Sequence, residues 1–223
     1  MSARDNILGR VRRSLGVSGG DAQRRAAVVS RLAEAKSGLI PARGQLPREE
    51  RIEVFAKYAE KYGATIARVG SIEHLPQEVS RYLKSNNLPA SIRMGEDPLL
   101  KDARFESEPM LTVISGASDG TDVAGVSHAR GAVAESGTLV LASGPNNPVT
   151  INFLPEHHIV AVRAADVGAS LEEAFAGITA TYGKGEMPRT VNFVTGPSRS
   201  GDIEQKIIMG AHGPRALHIV IIG

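Results

Sequence analysis

The residues best suited to chemistry lie in the last third of the chain, in the segment TGPSRSGDIEQKIIMGAHGP at positions 195–214. This segment stands between two short apolar runs, VNFV and LHIVII, which have the composition of buried strands. Gly196 lets the backbone approach a ligand closely, Arg199 supplies a fixed positive charge, and Ser198 and Ser200 supply hydroxyl groups. Together with free backbone amides, these groups are suited to capturing a phosphate or a carboxylate.

The same segment also has a purely structural interpretation. The sequence predicts a helix that begins near Asp202, and Ser200 or Asp202 would cap it while Gly196 and Pro197 form a turn. Asp202 belongs to the predicted ligand-binding residues in the first interpretation and is only a cap in the second. Both interpretations remain open at the level of sequence.

Glu135 is the second candidate for chemistry. It precedes Gly137 and Thr138, where a predicted strand begins, so its carboxylate is expected at the mouth of a sheet. There it could act as a general base or a nucleophile, with Gly137 and Thr138 contacting the ligand. Alternatively, Glu135 binds a ligand without making a bond, or it holds the turn and pairs with Arg130 or Arg199.

His212 lies in the sequence GAHGP, where flanking glycines and a proline predict a tight turn. Such a turn could carry the imidazole towards a pocket and make His212 a second catalytic candidate. The alternative is a helix C-terminal cap, in which Gly210 and His212 are expected for conformational and dipole reasons.

Alternating helical and strand patterns must position these residues. The predicted helices cover 47–62, 71–86 and 170–182, and the predicted strands cover 64–69, 89–94, 110–115, 138–143, 159–166, 191–194 and 217–222. This alternation predicts an α/β fold with a mostly parallel sheet flanked by helices. Because ligands in such folds lie beyond the carboxyl ends of strands, the loops after Val113, Leu141 and Val194 are the expected site.

The sequence predicts a basic helical arm over residues 1–43 and a single α/β domain over residues 44–223. Apolar residues recur at helical spacing from Ile7 to Leu15, and a second helical run covers 22–36. Residues 1–43 contain eight arginines, one lysine and three acidic residues, so their formal net charge is +6, whereas that of the whole chain is +2. The other 180 residues therefore carry −4, and the arm lacks the interleaved aromatic residues of a nucleic-acid surface. We expect the arm to dock on protein.

Composition excludes several kinds of chemistry. The chain of 223 residues contains no cysteine, so thiol catalysis and cysteine-ligated iron–sulfur clusters are excluded from this polypeptide. Its six histidines show no zinc-binding spacing, and we expect no metal site. No apolar run is long enough to span a membrane, and no secretion signal is visible, so a cytoplasmic protein is expected. No dinucleotide or flavin fingerprint identifies a cofactor.

Three segments resemble a known family. They are TGPSRSGDIEQ with the later GAHGP, GAVAESGTLVL at 131–141, and LPEHHIV at 154–160. In this order they are similar to the lactate utilization protein C family, whose core is the LUD domain. The resemblance runs from about Val113 to the last residue. It implies a fold related to ribose-phosphate isomerase, glucosamine-phosphate deaminase and the CoA transferases, and a role in oxidising L-lactate to pyruvate alongside iron–sulfur partner proteins.

Three functions follow as hypotheses. In the first, the chain is a lactate utilization subunit that binds a small anionic metabolite or cofactor and works with iron–sulfur partners. In the second, it is a stand-alone transferase, isomerase or ligase on a phosphorylated or CoA-linked substrate, with Glu135 making the bond. In the third, it is a non-catalytic assembly subunit whose basic arm binds an acidic face of a partner.

Overall fold

The computed structural model describes residues 2–16, 20–34, 38–203 and 206–223, with backbone alone at 201–203 and 206–208. The chain divides into two compact units, Met1–Leu39 and Ile40–Gly223. Within the described residues, no helix has both the length and the apolar character needed to cross a membrane.

The first unit contains two helices, α1 (Ala3–Leu15) and α2 (Ala22–Glu34). A capping box begins α1, since Ser2 Oγ accepts from the Asp5 amide and the Asp5 carboxylate accepts from the Ser2 amide. Gly16 ends α1 in the left-handed conformation, with φ at 63°. The predicted end of the second helix, Lys36, lies outside the described residues.

The second unit contains four helices and all the strands of the described chain. Its helices are α3 (Arg48–Lys61), α4 (Leu75–Ser85), α5 (Pro98–Asp102) and α6 (Leu171–Tyr182). Its strands are β1 (Thr65–Val69), β2 (Ser91–Met94), β3 (Thr112–Ser115), β4 (Ala124–His128), β5 (Gly131–Val133), β6 (Thr138–Ala142), β7 (His157–Arg163), β8 (Val167–Gly168), β9 (Val191–Val194), β10 (Arg199–Ile203), β11 (Lys206–Met209) and β12 (Ala216–Ile222). Short 3₁₀ turns connect several of them.

Six parallel strands form the central sheet, in the order β1-β12-β7-β4-β2-β3. The central strands of this sheet are buried on both faces, which is why residues 159–162 in β7 and 219–222 in β12 are continuous apolar runs rather than alternating ones. The side chains still alternate between two cores. Ile159 and Val220 pack with α4 and α5, while Val160 and Ile219 pack with α3 and with β6. The predicted mostly parallel, helix-flanked α/β fold is confirmed.

A second sheet, in the order β8-β5-β6-β9, packs against the core on the α3 side. In it β6 runs antiparallel to both neighbours, β5 and β9. The loop after Leu141 reaches the carboxyl edge of the parallel sheet, where Asn147 donates to Asp97. Leu141 and Val194 themselves belong to the second sheet, however, so the expectation that their strands are part of the parallel sheet is wrong. The reason is that a short apolar run shows that a strand is buried but not which sheet buries it.

The predicted helix near Asp202 is also wrong. Its backbone belongs to β10, which pairs antiparallel with β11 from Arg199 opposite Met209. Isoleucines at 203, 207 and 208 favour this outcome, because β-branched side chains lose less conformational freedom in a strand than in a helix. Asp202 therefore cannot cap a helix, because no helix begins there.

Candidate functional site

Arg199 bonds to the protein itself in this structure. Its Nη2 donates to the carbonyl oxygen of Tyr62 at 2.6 Å, at the C-terminal end of α3. Gly63 follows, and a Cβ at that position would collide with the guanidinium. A cation at a helix C-terminus satisfies a free carbonyl and interacts favourably with the helix dipole. The exposed Arg199 side chain therefore ties β10 to the end of α3.

The loop before β10 is held by backbone bonds. The Ser198 amide donates to the Pro214 carbonyl at 2.8 Å, and the Gly210 amide donates to the Ser198 carbonyl at 2.9 Å. The Ser198 hydroxyl accepts from the backbone amide of His212 at 3.2 Å. The structure thus brings together Ser198, Arg199 and His212, and the His212 side chain is exposed. The Ser198 amide is already engaged within the protein.

Two glycines that were predicted to bind a ligand instead pack closely against the end of α3. Gly196 has a positive φ of 80°, and a Cβ there would collide with the Tyr62 carbonyl. Gly137, with φ at 65°, lies equally close to the backbone of Tyr58 and Ala59. Both glycines therefore let a loop approach the last turn of α3.

Thr138 is buried beside this loop. Its Oγ1 lies 2.6 Å from the Thr195 hydroxyl and 2.8 Å from the Ser136 hydroxyl. Ser200 is half-buried, and its backbone pairs with Ile208. The Asp202 side chain lies outside the described atoms.

Glu135 lies at the start of α6. Only 6% of the residue is exposed, and its Oε1 accepts from the Leu171 amide at 3.0 Å. This is a carboxylate at a helix N-terminus, where it satisfies a free amide. Its Oε2 is buried without a hydrogen-bond partner in the described structure, and a Cβ at Gly44 would lie 2.9 Å from it. The geometry supports the structural interpretation of Glu135.

Sequence reasoning missed a buried carboxylate–imidazole pair at the carboxyl edge of the central sheet. Asp97, which follows β2 and is 2% exposed, lies 2.9 Å from Nδ1 of His128, the last residue of β4. The second carboxylate oxygen accepts from Asn147 Nδ2 at 2.9 Å, and the Leu99 amide donates to the first at 3.0 Å. Burial raises the pKa of Asp97, but the hydrogen bonds from His128 and Asn147 outweigh it and lower the pKa to about 2.

The other imidazole nitrogen of His128 has no partner. Its Nε2 is buried and without a hydrogen bond in the part of the chain that the structure describes. Because Nδ1 faces the Asp97 carboxylate, which can only accept when ionised, Nδ1 is the nitrogen that donates to it. A buried polar atom without a partner is uncommon in folded proteins and calls for an explanation.

A cavity of about 380 Å³ adjoins this pair, between the carboxyl edge and α6. We call it the edge cavity; the ionisable and aromatic residues that line it are His128, Arg130, Arg163, Asp166, Glu173 and Tyr182. Neither Arg130 nor Arg163 forms an ion pair with a carboxylate among the described residues. Glu173, by contrast, is already bonded to the Ala169 amide and to Arg51. The edge cavity is therefore lined by two arginines that form no ion pair with a carboxylate among the described residues.

The amino-acid pattern around Asp97 and His128 gave little indication of this carboxylate–imidazole pair. The strand β4 that carries His128 lies in a glycine-rich and small-residue stretch, GASDGTDVAGVSHARG, which resembles a loop. Asp97 is 31 positions away from His128, and Asn147 is 50 positions away from Asp97. The loop after Leu141, which was expected to contribute to the site, does contain Asn147, whereas the sequence pattern did not single out Asp97 or His128.

His158 plays a different part from His128. It lies within β7, is 1% exposed, and its Nε2 is 2.9 Å from Ser127 Oγ, which in turn donates to Asn152. Burial lowers the pKa of His158 to about 3, so the ring is neutral. This geometry supports a packing role.

Comparison with known proteins shows which family this domain resembles. Residues 117–222 match the family model of the LUD domain. A crystal structure of a DUF162 family protein from Deinococcus radiodurans superposes with a TM-score of 0.58 at 21% identity, over 80% of this chain and 99% of that one. At this identity the superposition shows a shared fold. Residues 117–222 are therefore similar to the LUD domain, as the resemblance in the sequence predicted.

Individual proteins with similar sequences share one name. The chain is 38% identical over 99 residues to lactate utilization protein C of Geobacillus sp. (strain WCH70), and these cover 44% of this chain and 41% of that protein. The protein of the same name from Geobacillus thermodenitrificans is 40% identical over the same shares. The chain thus spans about two-fifths of the length of the curated relatives it matches. The predicted similarity to the lactate utilization protein C family is confirmed over this segment.

Proposed function

We propose that this chain serves lactate utilization by binding a small carboxylate in the edge cavity. The names of its relatives supply the metabolic context, and the cavity supplies the chemistry. The observation that carries the proposal is that Arg130 and Arg163, which pair with no carboxylate among the described residues, line the same cavity at the carboxyl edge of a parallel sheet. Guanidinium groups bind carboxylates with two parallel hydrogen bonds, and this edge is where open α/β sheets bind ligands.

The proposed role does not require electron transfer by this chain. Without cysteine, the polypeptide cannot hold a cysteine-ligated cluster, so the oxidation of L-lactate to pyruvate would rest on iron–sulfur partner proteins. In this arrangement the LUD domain binds the metabolite, and the partners carry the electrons. The basic helices α1 and α2 would provide a contact for such a partner.

Calorimetry tests the site. Purified protein titrated with L-lactate and with pyruvate should show saturable binding, and Arg163→Gln should weaken it at least tenfold, because a charge-assisted bond is lost. Arg199→Ala is the matched control, since it removes an arginine of the other loop, which is bonded to Tyr62. Absence of saturable binding to either acid would refute the proposal.

The loop with Ser198 and Arg199 remains a second predicted anion contact. For Arg199 to serve a ligand, its guanidinium would have to leave the Tyr62 carbonyl or share its remaining donors. If Arg199→Ala weakens binding of L-lactate and Arg163→Gln does not, the site lies in this loop and the edge cavity is excluded.

A further inference from the structure

The outer side of α6 and the free edge of β9 together form one exposed apolar face. We call it the α6–β9 face; it consists of Leu171, Phe175 and Thr179 on the helix and Phe193 on the strand. We propose that a second copy of this chain binds to the α6–β9 face, with β9 pairing antiparallel to its own copy around a two-fold axis. Binding of a carboxylate in the edge cavity is not required for this pairing.

The first support is the exposure of large apolar side chains on this face. Leu171 and Phe175, one turn apart on α6, are 39% and 51% exposed, and Phe193 on β9 is 37% exposed. The ring centroids of Phe175 and Phe193 lie 5.4 Å apart, so the helix and the strand present one continuous patch. Exposed apolar patches that span several residues mark interaction sites more often than single exposed side chains do.

The size of the patch suits a dimer. A Phe side chain has roughly 150–250 Å² of surface, so the exposed fractions of Leu171, Phe175 and Phe193 leave about 250 Å² of apolar surface open on each copy. An interface of standard size buries about 800 Å² per partner, of which somewhat more than half is apolar. The patch therefore supplies about half of the apolar area that a stable dimer needs, and the neighbouring uncharged residues of α6 add to it.

The second support is the unpaired backbone of β9. This strand is the last of its sheet and pairs only with β6 among the described residues. The Ser143 amide donates to the Thr190 carbonyl, and alternate residues of an antiparallel strand face the same neighbour. Val191 and Phe193 therefore direct their backbone groups to the free edge, where another strand can bind them. Two copies of β9 around a two-fold axis pair antiparallel, which continues the pattern of β5, β6 and β9.

The third support is the charge pattern, which selects a second copy as the partner. Residues 174–182 of α6 and residues 190–195, which include β9, contain no Asp, Glu, Lys, Arg or His. Edge strands that must avoid pairing usually carry charged residues or proline. Two copies of β9 can therefore meet without opposing like charges, whereas an acidic or basic partner would find no opposite charge on this strand.

Pairing would also complete the packing of α6. Ile178 is the one residue of this helix that is buried. One flank of the helix, with Glu173, Gly177 and Thr181, lines the edge cavity, and the opposite flank is the exposed α6–β9 face. Since a helix is stabilised mainly by the apolar surface that it buries, a second copy against Phe175 supplies packing that the single chain lacks.

Sedimentation equilibrium tests the dimer. The wild-type protein should have twice the mass of one chain, which is 23.6 kDa. Phe175→Lys and Phe193→Lys should each raise the Kd of the dimer at least about tenfold, because each substitution brings a charge against its own copy. Met110→Lys is the matched control, since Met110 is 83% exposed and lies before the edge strand β3 of the other sheet; it should leave the mass unchanged. Circular dichroism establishes that each variant is folded.

A cysteine cross-link tests the strand pairing. The chain contains no cysteine, so Val191→Cys combined with Thr195→Cys introduces its only thiols. If Phe193 lies opposite Phe193 of the second copy, position 191 faces position 195 of that copy at a Cα distance of about 5.5 Å, which a disulfide can bridge. Mild oxidation should therefore yield a covalent dimer on a non-reducing gel, and Met110→Cys should yield none.

Three results would overturn the proposed dimer. They are a wild-type protein that sediments as a monomer, a dimer that survives both lysine substitutions, and a dimer in which positions 191 and 195 do not cross-link. If the chain alone is monomeric and Phe175→Lys instead disrupts a complex with an iron–sulfur partner, the α6–β9 face binds that partner and the second copy is excluded. Binding of L-lactate affects none of these outcomes, so the dimer and the proposed function can fail independently.

Discussion

Asp97 should make a large, pH-dependent contribution to stability that an isosteric substitution removes. The pKa of Asp97 falls from its ordinary value of 3.8 to about 2 in the folded protein, despite the opposing effect of burial, because His128 and Asn147 donate to the carboxylate. One unit of pKa shift corresponds to about 1.4 kcal/mol, so the ionised carboxylate stabilises the fold by about 2 kcal/mol. Since the folded-state pKa is depressed, this contribution is present above about pH 4 and is lost as the pH falls towards 2.

The test is urea unfolding of the wild-type protein and of Asp97→Asn, at intervals from pH 7 down to the lowest pH at which both fold. At pH 7 the variant should be less stable by about 2 kcal/mol, because its side chain cannot ionise. The difference should shrink as the pH falls below 4. Asp119→Asn, at an exposed turn, is the control and should show a smaller change. A difference between wild type and Asp97→Asn that stays constant from pH 7 to 3 would refute the linkage.

Three further predictions concern the predicted site residues and the N-terminal unit. Glu135→Ala should lower the free energy of unfolding by about 1–2 kcal/mol through loss of the bond to the Leu171 amide, and an unchanged urea midpoint would contradict this. Gly137→Ala should cost about 2 kcal/mol more than Gly116→Ala, because both have positive φ but only Gly137 lies against another backbone; equal costs would exclude the collision. Deletion of residues 1–39 should abolish co-elution with an iron–sulfur partner on size-exclusion chromatography while the remaining domain stays folded, and persistence of the complex would remove the arm from the contact.

Prediction from sequence succeeded where the signal was local. The runs that became β7 and β12 are long, apolar and bounded by turn residues, so their burial could be predicted without knowing their neighbours. The helix α6 was equally visible, because Ser170 precedes it and its Oγ accepts from the Glu173 amide as a cap. The hairpin of β10 and β11 was missed, since short segments of mixed polarity are decided by the strand they pair with.

Prediction of the candidate site from sequence was limited in the same way, because the contacts of each residue depend on distant parts of the chain. Glycines 137 and 196 were selected as places where a ligand could approach, and the same freedom instead admits the last turn of α3. Arg199 was selected for its charge, yet whether that charge meets a ligand or a carbonyl depends on where Tyr62 lies. Residue type establishes what a group can bind, whereas its neighbours decide what it does bind.

The sequence by itself determined the α/β class, the LUD-like segments and the exclusion of cysteine-ligated clusters, because these follow from composition and from patterns within a few residues. Only the tertiary structure decided which strands share the central sheet, that Glu135 supports α6, and that Asp97, His128 and Asn147 meet at one edge. The physical reason is that strand pairing and buried polar contacts join residues tens of positions apart. Their stabilisation depends on the whole packed core, and no local pattern records it.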